Sequence, residues 1–254
     1  MSLLRAEGLS KEFGGVRAVE SLHFDIAAGT VFSIIGPNGA GKTTLLNMLT
    51  GIYRPSAGRI WFGDRMLAGR APHEFAAAGI GRTFQNLQIF FNMSALENVM
   101  TGRHLLERCS VLAALVRAPR LARAERACRD AAAELLAFVG LEAWLHAAAD
   151  AMPYGALKRL EIARALAAEP RLLLLDEPAA GLNPAEIGDI GRLIERIAAR
   201  GITVVLVEHN MKLVMGVSQH VLVLDYGRKL AEGDAQTVRT DPRVIEAYLG
   251  AEDG

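Results

Sequence analysis

An apolar pentapeptide, Val31-Phe32-Ser33-Ile34-Ile35, runs directly into Gly36-Pro37-Asn38-Gly39-Ala40-Gly41-Lys42-Thr43, with Thr44 next. The octapeptide fits G-x-x-x-x-G-K-[ST], a pattern with a defined chemistry when a strand precedes it and a helix follows. Its glycines let the backbone wrap so that successive N–H groups point at one anion, and the helix adds the positive end of its dipole. Lys42 supplies a point charge for the β- and γ-phosphates, and the Thr43 hydroxyl suits Mg²⁺. A glycine-rich turn that binds nothing would need neither the lysine nor the hydroxyl. The segment therefore predicts a strand–loop–helix unit that cradles a nucleoside triphosphate.

The 254 residues are long for one domain but ordinary for an α/β sheet with an added subdomain. Hydrophobic residues make up 51%, enough for a sizeable core, and 28 basic residues balance 28 acidic ones. A balanced charge offers no global field to nucleic acid or to an anionic membrane surface, so no nucleic-acid partner is expected. Cys109 and Cys128 lack metal-ligand spacing and lie in an alanine-rich stretch, where packing is the expected role. The first residues lack the apolar core of a signal peptide. The apolar runs 172–175 and 202–207 have the length of buried strands, far short of the ~20 residues that span a bilayer. These features predict a cytosolic chain that meets a membrane only through a partner.

Short apolar runs at 4–9, 22–26, 31–35 and 59–62, punctuated by glycine and proline, predict strands, with a helix over 42–49 behind the phosphate loop. From about 94 to 149 the texture changes to Ala, Leu, Arg and Glu. There Leu121, Ala124, Cys128, Ala132, Leu135 and Val139 recur at helical spacing, which predicts an inserted helical subdomain. A helix at 157–167, a strand at 172–175, a helix at 184–199 and strands at 202–207 and 221–224 follow. Continuous apolar strands alternating with helices indicate a parallel sheet covered on both faces. The expected organisation is one domain over 1–254, with 1–93 and 150–254 as the α/β body and 94–149 as the insert.

Leu172-Leu173-Leu174-Leu175-Asp176-Glu177 is an apolar strand ending in two carboxylates. Ligands of open α/β sheets collect at the carboxyl ends of strands, so both acids are expected beside the phosphate loop. Asp176 suits the Mg²⁺ shell, and Glu177 suits polarising a water that attacks the γ-phosphate. Combined with the phosphate loop, this segment resembles the Walker B strand and catalytic glutamate of ABC-type ATPases. Other family features follow in order. Gln85, in Arg82-Thr83-Phe84-Gln85-Asn86, resembles the Q-loop glutamine that senses Mg²⁺ and the γ-phosphate. His209 resembles the switch histidine, Phe13 the aromatic that stacks on adenine, and Ala180-Gly181-Leu182-Asn183 the D-loop.

The resemblance covers essentially the whole chain. It implies a P-loop NTPase fold of the ABC type: an α/β core, an N-terminal β subdomain and the helical insert. It also implies ATP and Mg²⁺ as ligands, with Glu177, His209 and Lys42 as catalytic residues. Nucleotide contacts would come from Phe13, from 36–44, from Gln85, and from Tyr154 and Gly155. The metal would be held by Thr43, Gln85 and Asp176.

One motif departs from the family pattern. Where Leu-Ser-Gly-Gly-Gln is commonest, this chain has Met152-Pro153-Tyr154-Gly155-Ala156, followed by a helix that matches the family well. In ABC pairs this signature faces the phosphate loop of the other subunit. Pro153 removes the serine hydroxyl and its own N–H, while Gly155 and the helix dipole remain. Losing one hydrogen bond to a charged group implies a deficit on the order of 1.5–3 kcal/mol. Two readings stay open: an asymmetric pair in which the site completed by this Pro153 motif is the weaker one, or a pair in which Gly155 and the helix dipole suffice.

Several segments resemble one branch, the uptake ATPases for branched-chain amino acids and related substrates. These are 9–19, the extended insert at 101–123, Tyr154 within the signature, 178–184 and the tail 241–250. The branch implies a second, different ATPase subunit, membrane permeases and an external substrate-binding protein, with this chain at the cytoplasmic face of the bacterial inner membrane. Urea or amide uptake, lipid or lipopolysaccharide export, and a soluble non-transport ABC ATPase are the alternatives. After Gln85, the stretch Gln88-Ile89-Phe90-Phe91 either offers Phe90 and Phe91 as an apolar anchor for a permease helix or buries both rings.

Overall fold

The apolar runs of the sequence assemble into two sheets and a helical layer in the computed structural model, which describes residues 2–104, 106 and 119–249. A four-stranded antiparallel sheet has the order β2-β1-β4-β5, from β1 (Ser2–Phe13), β2 (Val16–Ala27), β4 (Ala57–Phe62) and β5 (Arg65–Met66). A six-stranded sheet has the order β10-β9-β3-β8-β7-β6. Its members are β3 (Val31–Ile35), β6 (Ile80–Arg82), β7 (Leu172–Asp176), β8 (Thr203–Val207), β9 (His220–Asp225) and β10 (Arg228–Gly233). All its pairings are parallel except β9 with β10.

The strands β3, β7 and β8 are buried along their whole length, which explains why they are apolar except at Ser33, Asp176 and Thr203. Successive side chains then serve different layers. Leu172, Leu174, Val205 and Val207 pack with the antiparallel sheet and with helix α1 (Lys42–Leu49). Leu173, Leu175, Val204 and Leu206 pack on the opposite face, against the helical layer. The phosphate loop therefore leaves the carboxyl end of β3, an interior strand between β9 and β8, and enters a helix held in place by apolar contact.

The predicted strands 4–9 and 22–26 are only the centres of β1 and β2, each 12 residues long. Their ends are exposed but paired in an antiparallel ladder, so hydrophobic runs do not mark where they stop. β6, β10, a short helix α2 (Pro72–Ala77), α7 (Met211–Val217) and the tail helices α8 (Ala235–Thr240) and α9 (Pro242–Leu249) join the elements read from the sequence.

The helical layer contains α3 (Ala95–Gly102), α4 (Pro119–Phe138), α5 (Tyr154–Leu166) and α6 (Pro184–Ala199). Ser94 opens α3 with a capping box, its hydroxyl accepting from Glu97 N–H while Glu97 accepts from Ser94 N–H. Among the described side chains of α4 the buried positions are Cys128, Ala132, Leu136 and Phe138, with Val139 buried just beyond its end. Ala124 is exposed, and Leu135 is only half-buried. Steps of four, four and three residues from Cys128 keep to one helical stripe and reach Leu136 instead. The Leu121 side chain, Cys109 and most of the extended insert at 101–123 lie outside the described residues.

Candidate active site

Gly41 is the N-cap of α1 and takes φ 96°, a left-handed conformation that a side chain would oppose, with the Ala18 carbonyl oxygen against the place of a Cβ. Ala40 N–H bonds Pro37 O at 3.2 Å, and Leu45 N–H bonds Gly41 O at 2.9 Å. Intrahelical bonding thus begins at Leu45, and the N–H groups of Lys42, Thr43 and Thr44 have no intrahelical acceptor. Lys42 is buried and its Nζ donates to Gly36 O at 2.6 Å and Pro37 O at 2.8 Å, folding the side chain back over the loop. Burial holds the Lys42 ammonium below its usual range, offset by Glu177 and Asp176 nearby. Thr43 and Asn38 are exposed at the rim.

Glu177 follows β7 with φ 50°, a left-handed backbone uncommon outside glycine and maintained only where surroundings hold it. Its N–H donates to Val207 O at 2.9 Å. Both carboxylate oxygens are engaged. His209 Nε2 lies 2.9 Å from Oε1, and Gln85 Nε2 donates to Oε2 at 3.1 Å. An ionised Glu177 carboxylate accepts from His209 only when Nε2 carries the proton. Three residues read separately from the sequence thus share one hydrogen-bonded cluster.

Asp176 is buried and its Oδ2 accepts from Arg82 Nη2 at 2.9 Å. Burial raises the Asp176 carboxyl above its ordinary range, the Arg82 guanidinium pulls it down, and Glu177 adds a like charge. The other predicted nucleotide residues sit apart from this cluster within the chain. Phe13 is exposed at the end of β1, edge-on to Tyr53 with centroids 5.2 Å apart, and the Lys11 ammonium lies 4.8 Å from its ring. Pro153 is the N-cap of α5, Tyr154 and Gly155 form its first turn, and their neighbours are Lys158, Gly181 and Glu186. A Cβ on Gly155 would meet the Glu186 carboxylate at the end of its side chain, so the glycine leaves that carboxylate its place. Phe90 and Phe91 are both exposed, with the Arg164 guanidinium 5.6 Å from the Phe90 ring.

Four charged residues that sequence reasoning did not single out complete the site. Arg82 also donates to Asn47 Oδ1 at 2.6 Å and Thr50 Oγ1 at 3.2 Å. Glu208 accepts from Ala179 N–H at 2.7 Å and His209 N–H at 3.1 Å, tying the two loops beyond β7 and β8. Glu161 accepts from Phe84 N–H at 3.2 Å and Gln88 N–H at 3.4 Å. Lys158 Nζ reaches Gln85 O at 3.4 Å and Glu177 O at 3.5 Å. The available signal was charge placed inside apolar runs, at Arg82 closing β6 and at Lys158 and Glu161 among Leu157, Leu160, Ile162 and Ala163.

No group of three or more His, Cys, Asp or Glu among the described residues could hold a metal by itself. The oxygens that Thr43, Asp176 and Gln85 offer are hard donors, of the kind suited to a cation that also binds phosphate oxygens. No helix of the described residues is long and apolar enough to cross a membrane.

A family model described as ABC transporter matches residues 19–180, and one described as branched-chain amino acid ATP-binding cassette transporter matches residues 228–254. A high-affinity branched-chain amino acid transport ATP-binding protein of Pseudomonas aeruginosa is 43% identical over 98% of each chain. The protein of the same description from Escherichia coli is 40% identical over 98% of each. A nucleotide-free ATP-binding cassette from an ABC transporter superposes with TM-score 0.85 at 33% identity, covering 98% of this chain and 99% of that one.

Proposed function

This chain belongs to the ABC transporter family, and from that membership we propose that it is the ATP-binding and hydrolysing subunit of a branched-chain amino acid importer. The cargo reading is supported by the full-length relatives and by the tail match at 228–254. The hydrolytic reading is carried by one observation, the Glu177 carboxylate held by His209 and Gln85 at the end of β7.

In this reading residues 36–44 wrap the triphosphate, Lys42 swings from its own loop carbonyls onto the β- and γ-phosphates, and Phe13 meets the adenine. Thr43, Asp176 and Gln85 would hold Mg²⁺, which supplies charge neutralisation for the phosphates when bound. Glu177 takes a proton from the attacking water as the water oxygen bonds phosphorus and the bridging oxygen leaves with ADP. His209 orients that carboxylate through Nε2.

Tyr154 and Gly155 point to a partner's nucleotide, since within one chain their neighbours are Gly181 and Glu186. Two ATPase subunits would close on two ATP molecules, and hydrolysis would reopen them. We assign 1–93 and 150–254 to the α/β body and 94–149 to the helical insert. Phe90 and Phe91 give a permease helix an apolar anchor, and the chain sits at the cytoplasmic face of the membrane through that contact. An external substrate-binding protein delivers the cargo.

The test is affinity isolation from membranes followed by reconstitution. ATP-dependent uptake of labelled leucine with co-purifying permeases is the expected result. Hydrolysis stimulated by another cargo would overturn the branched-chain assignment.

A further inference from the structure

Helix α5 presents Lys158, Glu161 and Arg164 at spacing i, i+3, i+6, which places them on one face. Lys158 is 2% exposed and Glu161 3%, so both charges sit where desolvation is costly without compensation. At bonding distance their partners are backbone groups of another segment. Glu161 holds the N–H groups of Phe84 and Gln88, and Lys158 holds the carbonyls of Gln85 and Glu177. Arg164 lies over the Phe90 ring. The stretch 84–90 has neither helix nor strand, so these side-chain bonds replace the ladder that would otherwise fix it.

The rest of its anchoring points the same way. Phe90 exchanges hydrogen bonds with the Asn98 side chain of α3, both at 2.9 Å, and α3 packs with α5 in one apolar cluster. Toward the sheet, Thr83 N–H bonds Leu174 O at 2.9 Å, and beyond it the Gln85 amide crosses to Glu177. The loop is therefore held by the helical layer, while its glutamine touches the catalytic carboxylate. Lys158 adds a second crossing, because Glu177 keeps its left-handed backbone with its carbonyl against this ammonium.

We infer that Lys158 and Glu161 are positioning residues that bind α5 and the 84–90 loop into one mechanical unit. A shift of the first turn of α5 at Tyr154 and Gly155 is passed to Gln85 and Glu177 of the same chain. The inference rests on the paired-subunit reading, which gives that turn a partner's nucleotide to close on. In such a pair, occupancy of one ATP site sets the geometry of the other, a coupling between two defined sites through a two-state element.

The experiment uses the transporter isolated with its permeases and second ATPase subunit, and measures turnover against ATP concentration. Wild type should show a Hill coefficient above unity. Lys158→Met, which keeps the buried stem but removes the charge, should bring it to unity. Lys158→Arg should recover the wild-type coefficient. A Lys158→Met complex as cooperative as wild type overturns the inference. If that variant does not assemble, Glu161→Gln is read the same way, and its unchanged coefficient overturns the inference. A wild-type complex that hydrolyses ATP without cooperativity also overturns it, whereas one that hydrolyses no ATP overturns the proposed function instead.

Discussion

Arg82 and Asp176 form a buried ion pair, Nη2 to Oδ2 at 2.9 Å, with each side chain 6% exposed. Through Asn47 and Thr50 the same guanidinium grips α1, so one residue fastens the end of β6, the end of β7 and the helix behind the phosphate loop. Removing one partner of a buried pair leaves an uncompensated charge, a larger loss than the pair's net worth. Arg82→Met should therefore destabilise the chain by about 3–5 kcal/mol. Urea unfolding at constant m is the measurement, and a midpoint close to wild type would mean that Asp176 finds another partner.

Glu177→Gln keeps the shape and both neighbours of the side chain but cannot accept the proton of water. Hydrolysis should fall about 10²–10⁴-fold, the usual worth of a general base. ATP binding should persist and the closed pair accumulate. Phosphate release and equilibrium binding, measured together, separate this outcome from a fold defect, which would lower both.

Pro153 caps α5 with φ −65° and ψ 154° but makes no side-chain cap bond. A serine hydroxyl there would accept an N–H of the first turn, so Pro153→Ser should stabilise the chain by about 1 kcal/mol. Combined with Ala156→Gln in the reconstituted transporter, it should also raise turnover and nucleotide affinity. Unchanged turnover alongside the gain in thermal stability would dispose of the weak-site reading and leave the capping argument standing.

Burial raises the Glu208 carboxyl above its ordinary 4.5, against the pull of the Ala179, Asn210 and His209 N–H groups. A raised folded value means that the native state binds the proton more tightly than the unfolded chain. The contribution is thus fully present below the unfolded value and lost as pH rises through the folded one. The stability of wild type relative to Glu208→Gln should fall as pH rises from the ordinary 4.5 through the raised folded value. Paired denaturation curves across that window give the slope, and a relative stability that climbs with pH would reverse the assignment.

Local pattern carried much of the architecture. Short, nearly continuous apolar runs leading into Gly36 and into Asp176 specified buried parallel strands, because a strand covered on both faces has no solvent side that calls for alternating polar residues. Glycine at 36 and 41 with Lys42 specified the phosphate loop for equally local reasons. Helix α4 was legible as an element but not in its seam, since Leu135 and Leu136 differ by 100° around the axis and only packing against neighbours selects between them.

By itself the sequence determined the strand–loop–helix cradle, the acid pair at the end of β7 and the family to which they belong, all features written within a few adjacent residues. Tertiary structure alone decided which charges meet. Gln85, Glu177 and His209 come from three separate loops to form one cluster, and Arg82 finds Asp176 across 94 positions. Lys158 and Glu161 read as ordinary polar positions of a helix until the 84–90 loop is laid against them. The reason is physical. Periodicity encodes which face is buried, but the free energy of a buried charge is set by whatever lies within a few ångströms in space.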